Sequence, residues 1–237
     1  GIKFYTYTTK CSSNKPNEQS RIEAIIIPEG ISSTPDIYFY FHGMHSYSDY
    51  LDLLVNYNCL SKNICNNMKD ISEKGENAIM VMFSGSKDSS DYGEWMNNNF
   101  KCFYDEAIST INSMNLQPQN MQLMGHSGGG KAIKNIVETF IGKEQHLPLK
   151  AAVYYDACYT WCNSIKSTLK QQGATLYSAV TLISGGNIPP RKTDFKALTG
   201  IDIDSAVPNM VYSGIGNEDN IKVCLYEKFK PWCNSRP

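Results

Sequence analysis

Met121-Gln122-Leu123-Met124-Gly125-His126-Ser127-Gly128-Gly129-Gly130-Lys131-Ala132-Ile133 is the stretch on which the fold turns. Its first four residues read as a short strand. From Gly129 onward Ala132, Ile133, Ile136, Val137 and Phe140 recur on one face of a helix that Gly142 closes. Between strand and helix stands Gly125-His126-Ser127-Gly128-Gly129, which fits Gly-x-Ser-x-Gly. A serine at the tip of such a turn projects its hydroxyl, and glycines two residues before and after let neighbouring backbones approach closely. The free N–H groups and dipole of the following helix favour an oxyanion beside it. Ser127 is therefore a candidate nucleophile. A phosphate loop fits less well, because Gly128-Gly129-Gly130-Lys131 lacks the Gly-x-x-x-x-Gly-Lys-Ser/Thr spacing and Ala132 stands where a magnesium-binding hydroxyl belongs.

Outward from this turn, apolar runs of strand length alternate with stretches of helical period. That is the pattern of an α/β protein: a doubly wound, mostly parallel sheet with helices on both faces. Gly1–Thr9 and Ile22–Ile27 are expected as an opening antiparallel pair, followed by a buried strand Asp36–Phe41 that ends on His42-Gly43. A helix from about Tyr50, a strand Ala78–Phe83 and a helix Cys102–Met114 precede the elbow. After it come a strand Leu149–Tyr155, a helix Cys162–Gln172, a strand Thr175–Ser184 and a last strand Asn209–Ser213. No repeat, Pro-rich linker or composition shift divides the chain, so residues 1–237 read as one domain.

Composition narrows the function classes. The 237 residues are 41% hydrophobic, sufficient for a large core, and the net charge is −1 with Lys and Arg scattered. Only Arg21, Arg191 and Arg236 are arginines, and no basic cluster suggests a nucleic-acid partner. The longest apolar runs, Ala24 to Ile27 and Ile37 to Phe41, are too short to span a membrane. Eight cysteines without a Cys-x-x-Cys pair point to disulfides and an oxidising, secreted or periplasmic location, with any signal peptide already removed. Cys59/Cys65, Cys158/Cys162 and Cys224/Cys233 are candidate local bridges.

The Gly125–Gly129 elbow in fifth-strand position, together with His42-Gly43 after the third strand, resembles the α/β-hydrolase fold family. The resemblance implies a serine hydrolase for an ester or amide bond. It also implies an oxyanion hole from the N–H groups of Gly128 and of Gly43 or Met44, and an acid at Asp156, which ends the sixth strand. Loops at the same sheet edge carry aromatics, Tyr92 and Trp95, then Tyr159 and Trp161, suited to stacking on a glycan ester, cell-wall material or a peptide. No cofactor or metal is expected, since His42-x-x-His45 has no assured third ligand.

The family places its histidine after the last strand, where this chain has Asn217. The histidine that follows Ser127, His146, sits beyond the far end of the elbow helix, about 18 Å away at 1.5 Å per residue. His126 is adjacent to Ser127 in sequence but its side chain is expected to point away. Three alternatives follow: the base is His42 or His45; the protein has lost catalysis and binds a ligand in the hydrolase-type pocket; or Asn217 replaces a histidine that an active form carries.

Overall fold

The computed structural model describes residues 1–11, 22–43, 75–83, 99–182, 189–215 and 218–226. Nine strands form one sheet: β1 (Ile2–Thr8), β2 (Ile22–Pro28), β3 (Asp36–Phe41), β4 (Ala78–Phe83), β5 (Met121–His126), β6 (Leu149–Tyr155), β7 (Thr175–Thr181), β8 (Met210–Ile215) and β9 (Glu218–Tyr226). The spatial order is β1-β2-β4-β3-β5-β6-β7-β9-β8. The interior from β4 to β9 is parallel, whereas β1 and β2 at one margin and β8 at the other run antiparallel to their neighbours.

The interior strands are near-continuous apolar runs because both of their faces are buried. One face meets α1 (Phe100–Ser113), α2 (Gly129–Thr139), α3 (Lys166–Gln171) and α4 (Pro189–Thr199). At its centre Phe39, Phe83 and Phe100 pack with ring centroids 5.7 to 5.9 Å apart. Aromatic pairs at such separations add to the area they bury. The opposite face buries Tyr38, Tyr40, Met80, Met82, Tyr155, Tyr177 and Tyr226. Cys11 and Cys102 are bonded across 91 residues, tying the end of β1 to α1, and Cys158 is bonded to Cys162. Cys224 is also disulfide-bonded. Cys59, Cys65 and Cys233 lie outside the described residues.

The expected Cys162–Gln172 helix is a 3₁₀ turn, Asn163–Ile165, followed by α3. Two elements differ more from the sequence reading. Helix α4 was not anticipated, because its exposed face is polar and its apolar contribution is confined to Phe195 and Leu198. Its signal is Pro189-Pro190, residues pre-set for a first helical turn. The expected last strand is β8, and a further strand, β9, follows it; β9 opens on polar Glu218-Asp219-Asn220 and so hides its apolar half.

Asn217 itself lies outside the described residues, but its flanks, Ile215 and Glu218, pair with each other where β9 begins. Strand β9 runs parallel to β7, so it begins at the edge away from Ser127 and ends at Tyr226, level with Thr181.

Candidate active site

The register of the parallel strands assembles the site. Phe41 pairs with Gly125, His126 with Tyr155, Tyr155 with Ala179, and Thr181 with Tyr226. One residue further along, the strand ends carry His42-Gly43, Ser127 and Asp156 side by side. The Ser127 N–H donates to the Tyr155 carbonyl at 3.0 Å, which locks the tip of β5 against β6 immediately before Asp156.

Ser127 has φ of 49°, in the left-handed region that a residue with a side chain enters at a cost of about 1–3 kcal/mol. Close packing of glycines holds it there. A Cβ on Gly125 would stand 2.9 Å from the carbonyl carbon of Gly129, and one on Gly129 would collide with the Phe41 carbonyl oxygen. The next residue, Gly130, abuts the Ala157 carbonyl in the same way. Strand β3, the elbow and the loop after β6 thus meet in backbone contact. The Gly130 N–H donates to the Ser127 carbonyl and the Lys131 N–H to the Gly128 carbonyl, which closes the first turn of α2 directly after the serine.

Gly43 is placed at the serine. A Cβ there would be 3.2 Å from the Ser127 Cβ and 2.6 Å from Nδ1 of His126, so the His126 ring packs on Gly43. His42 is fully buried, with Nδ1 2.7 Å from the Gly43 carbonyl oxygen. A protonated Nδ1 donates this bond and fixes the orientation of the Gly43 peptide. His146 is elsewhere: it packs on Phe140 at 5.5 Å and its Nε2 accepts from the Gly142 N–H.

Asp156 sits in a second left-handed turn, φ 48°, and is 7% exposed. Its Oδ1 accepts the Thr181 N–H at 2.8 Å and its Oδ2 accepts the Tyr226 hydroxyl at 3.1 Å. Nη1 of Arg191, on α4, is 3.4 Å from Oδ1. Burial pushes the Asp156 carboxyl above its ordinary value, while the Thr181 N–H, Arg191 and Tyr226 pull in the opposite direction. Burial and the neighbouring carboxylate also raise the Tyr226 phenol.

The loop beyond Asp156 presents the aromatic pair. The Cys158–Cys162 bridge closes a ring in which Tyr159 and Thr160 have φ of 39° and 71°. The Thr160 N–H donates to both oxygens of Asp194, at 2.8 and 2.9 Å. Tyr159 and Trp161 pack with centroids 5.4 Å apart, and the Tyr159 hydroxyl accepts from Nε and Nη2 of Arg191.

Ser127, Gly128, Gly43, His42, Asp156, Tyr159 and Trp161 are thus brought to one sheet edge. Met44, His45, Tyr92 and Trp95 lie outside the described residues. Arg191, Asp194, Thr181 and Tyr226 were not foreseen; for Arg191 the available signal is the rarity of arginine in this lysine-rich chain. Among the described residues, no group of three or more His, Cys, Asp or Glu side chains could hold a metal ion, and no helix is long and apolar enough to cross a membrane.

The same architecture occurs in solved hydrolases. A feruloyl esterase module from Clostridium thermocellum, complexed with sinapinate, superposes over 96% of this chain and 81% of its own, with 14% identity and a TM-score of 0.57. The chain has an α/β-hydrolase fold. Within that fold, similar structures include a thermostable esterase from Pseudomonas putida (96% of this chain, 73% of that one, 10% identity, TM-score 0.55). An acetyl xylan esterase from Aspergillus awamori matches over 97% of this chain and 95% of its own, at 11% identity and a TM-score of 0.50. No family model and no curated protein sequence matches the chain. The likeness to these α/β-hydrolase structures is therefore one of backbone architecture.

Proposed function

We propose that the chain is an exported serine hydrolase that cleaves an ester. The observation that carries this reading is the left-handed Ser127 at the tip of β5, held in that conformation by glycine contacts and followed directly by a helix start. In the proposed reaction the Ser127 hydroxyl attacks the acyl carbon and passes its proton to an imidazole. The Gly128 N–H, with that of Gly43 or Met44, holds the oxyanion. The alcohol leaves with the proton, and water then releases the acid from Ser127.

His42 Nδ1 faces the Gly43 carbonyl, which supports a role in shaping the oxyanion loop. His45, three residues along, is then the proposed base, and Asp156 the carboxylate that orients it. Tyr159 and Trp161 form the proposed wall for a sugar ring or an aromatic acyl group. A glycan-linked ester accords with the names of two similar structures, a feruloyl esterase and an acetyl xylan esterase. The Cys11–Cys102 and Cys158–Cys162 bridges support an oxidising compartment.

A second reading, a hydrolase-fold protein that binds without cleaving, is favoured by the company of Asp156, which is arginine and tyrosine. Hydrolysis assays separate the two. With p-nitrophenyl acetate and acetylated or feruloylated xylan, Ser127→Ala is expected to remove activity by a factor of about 10⁶ and His45→Ala by a similar factor. Turnover that survives Ser127→Ala contradicts the proposal, and turnover that survives His45→Ala contradicts the choice of base.

A further inference from the structure

Asp156 is held from three elements, by two hydrogen bonds and one ion pair. Thr181 on β7 supplies a backbone N–H, Tyr226 on β9 a hydroxyl, and Arg191 on α4 a guanidinium. Oδ1 accepts the Thr181 N–H and Oδ2 the Tyr226 hydroxyl, so one hydrogen bond on each oxygen fixes the group in rotation. The Arg191 guanidinium pairs with Oδ1 as an ion pair across 3.4 Å.

Arg191 is itself held in place. Its side chain is 12% exposed, its Cζ lies 5.0 Å from the centroid of the Tyr159 ring, and two of its N–H groups converge on the Tyr159 hydroxyl. Tyr159 belongs to the strained loop that the Cys158–Cys162 bridge closes and that Asp194, one turn along α4 from Arg191, clamps through Thr160. Loop and helix brace each other, and the load they hold is one positive charge beside Asp156. An isolated buried pair of this kind contributes little to stability, because desolvation offsets the attraction, whereas a fixed planar guanidinium orients its partner.

We infer that Arg191 is a positioning residue of the proposed hydrolytic site: braced by Tyr159 on the disulfide-closed loop, it keeps the Asp156 carboxylate ionised and aimed beside Ser127, and so extends the working range of the site to lower pH. The inference rests on the hydrolase reading above. Two effects act in the same direction. The guanidinium charge opposes protonation of a carboxyl that burial would otherwise protonate more readily, and it opposes formation of an imidazolium next to that carboxyl. The ionisable groups facing Asp156 are Arg191 from α4 and Tyr226 from β9, with Tyr177 of β7 beyond Tyr226. Burial raises the Tyr226 phenol, which is neutral at working pH, so the charge facing Asp156 is that of Arg191.

The test combines two titrations of the intact protein. Carbon-13 NMR of labelled aspartate, with the Asp156 signal assigned by its loss in Asp156→Asn, reads the carboxyl directly. The pH profile of kcat/KM for p-nitrophenyl acetate reads the site. In Arg191→Gln the Asp156 midpoint is expected to rise by about one unit or more, and the acid limb of the profile to rise with it. Arg191→Lys, which restores the charge without the fork, is expected to recover part of both shifts. Tyr159→Phe, which removes the hydroxyl bracing the guanidinium but leaves Asp156 untouched, is expected to move both by a smaller amount and serves if Arg191→Gln does not fold. An unchanged Asp156 midpoint in Arg191→Gln or Tyr159→Phe overturns the inference whatever the activity, and so does a shifted midpoint with an unmoved acid limb. Absence of hydrolysis by the wild type at every pH refutes the hydrolase reading instead, a result distinct from either.

Discussion

Two turns at the same sheet edge solve one problem by different means. After β5 and after β6 the chain must present a side chain from a left-handed residue, Ser127 with φ 49° and Asp156 with φ 48°. At Ser127 the surroundings have been emptied: Gly125, Gly129 and Gly130 let three backbones touch, and α2 begins at once. At Asp156 they have been filled: a disulfide, an ion pair and hydrogen bonds reaching 25 and 70 residues along the chain hold the turn. A geometry imposed by missing side chains is local and compact in sequence. One imposed by added contacts draws on distant residues, and each contact can be removed singly.

Substitutions can break the comparison from either side. Gly129→Ala forces a methyl group into the Phe41 carbonyl, and the expected cost is about 3 kcal/mol, read as a lowered midpoint in urea unfolding. Little loss there means the elbow is looser than its contacts imply. For the second turn, Cys158→Ala with Cys162→Ala frees the five-residue ring and is expected to cost about 2 kcal/mol in the same measurement, with the elbow intact. Tyr226→Phe removes a single hydroxyl donor from Asp156, for which about 1 kcal/mol is expected, because the other donors remain.

The smallest expected effect is one of pH. Burial holds the Asp156 carboxyl above its ordinary value, so the native protein binds that proton more tightly than the unfolded chain does. The associated stability is fully present below the unfolded value of about 3.9 and is lost as pH rises through the native value. The Tm of the wild type should therefore fall relative to that of Asp156→Asn over this window. A difference that stays constant with pH would show that Asp156 titrates as an exposed carboxylate.

The contrast between the turns also explains what could be read from the sequence. Gly125–Gly129 lies between an apolar strand and an amphipathic helix, so its geometry is written within about twenty residues. The parallel interior strands were legible for the same reason, as continuous apolar runs buried on both faces. Asp156 could be placed at a strand end but two of its partners could not, because Arg191 and Tyr226 belong to α4 and β9, elements with short and interrupted apolar patterning. Missing β9 moved the apparent end of the sheet to β8 and assigned Asn217 to the serine edge. Ile215 and Glu218, the described residues on either side of it, pair at the other edge.

Treating the purified protein with a fluorophosphonate probe and mapping the adduct by mass spectrometry tests whether the elbow presents a reactive serine. One adduct is expected, on Ser127, lost in Ser127→Ala and formed far more slowly after unfolding in urea. An unlabelled Ser127 in the folded wild type would contradict this, as would labelling that persists unchanged in the unfolded chain.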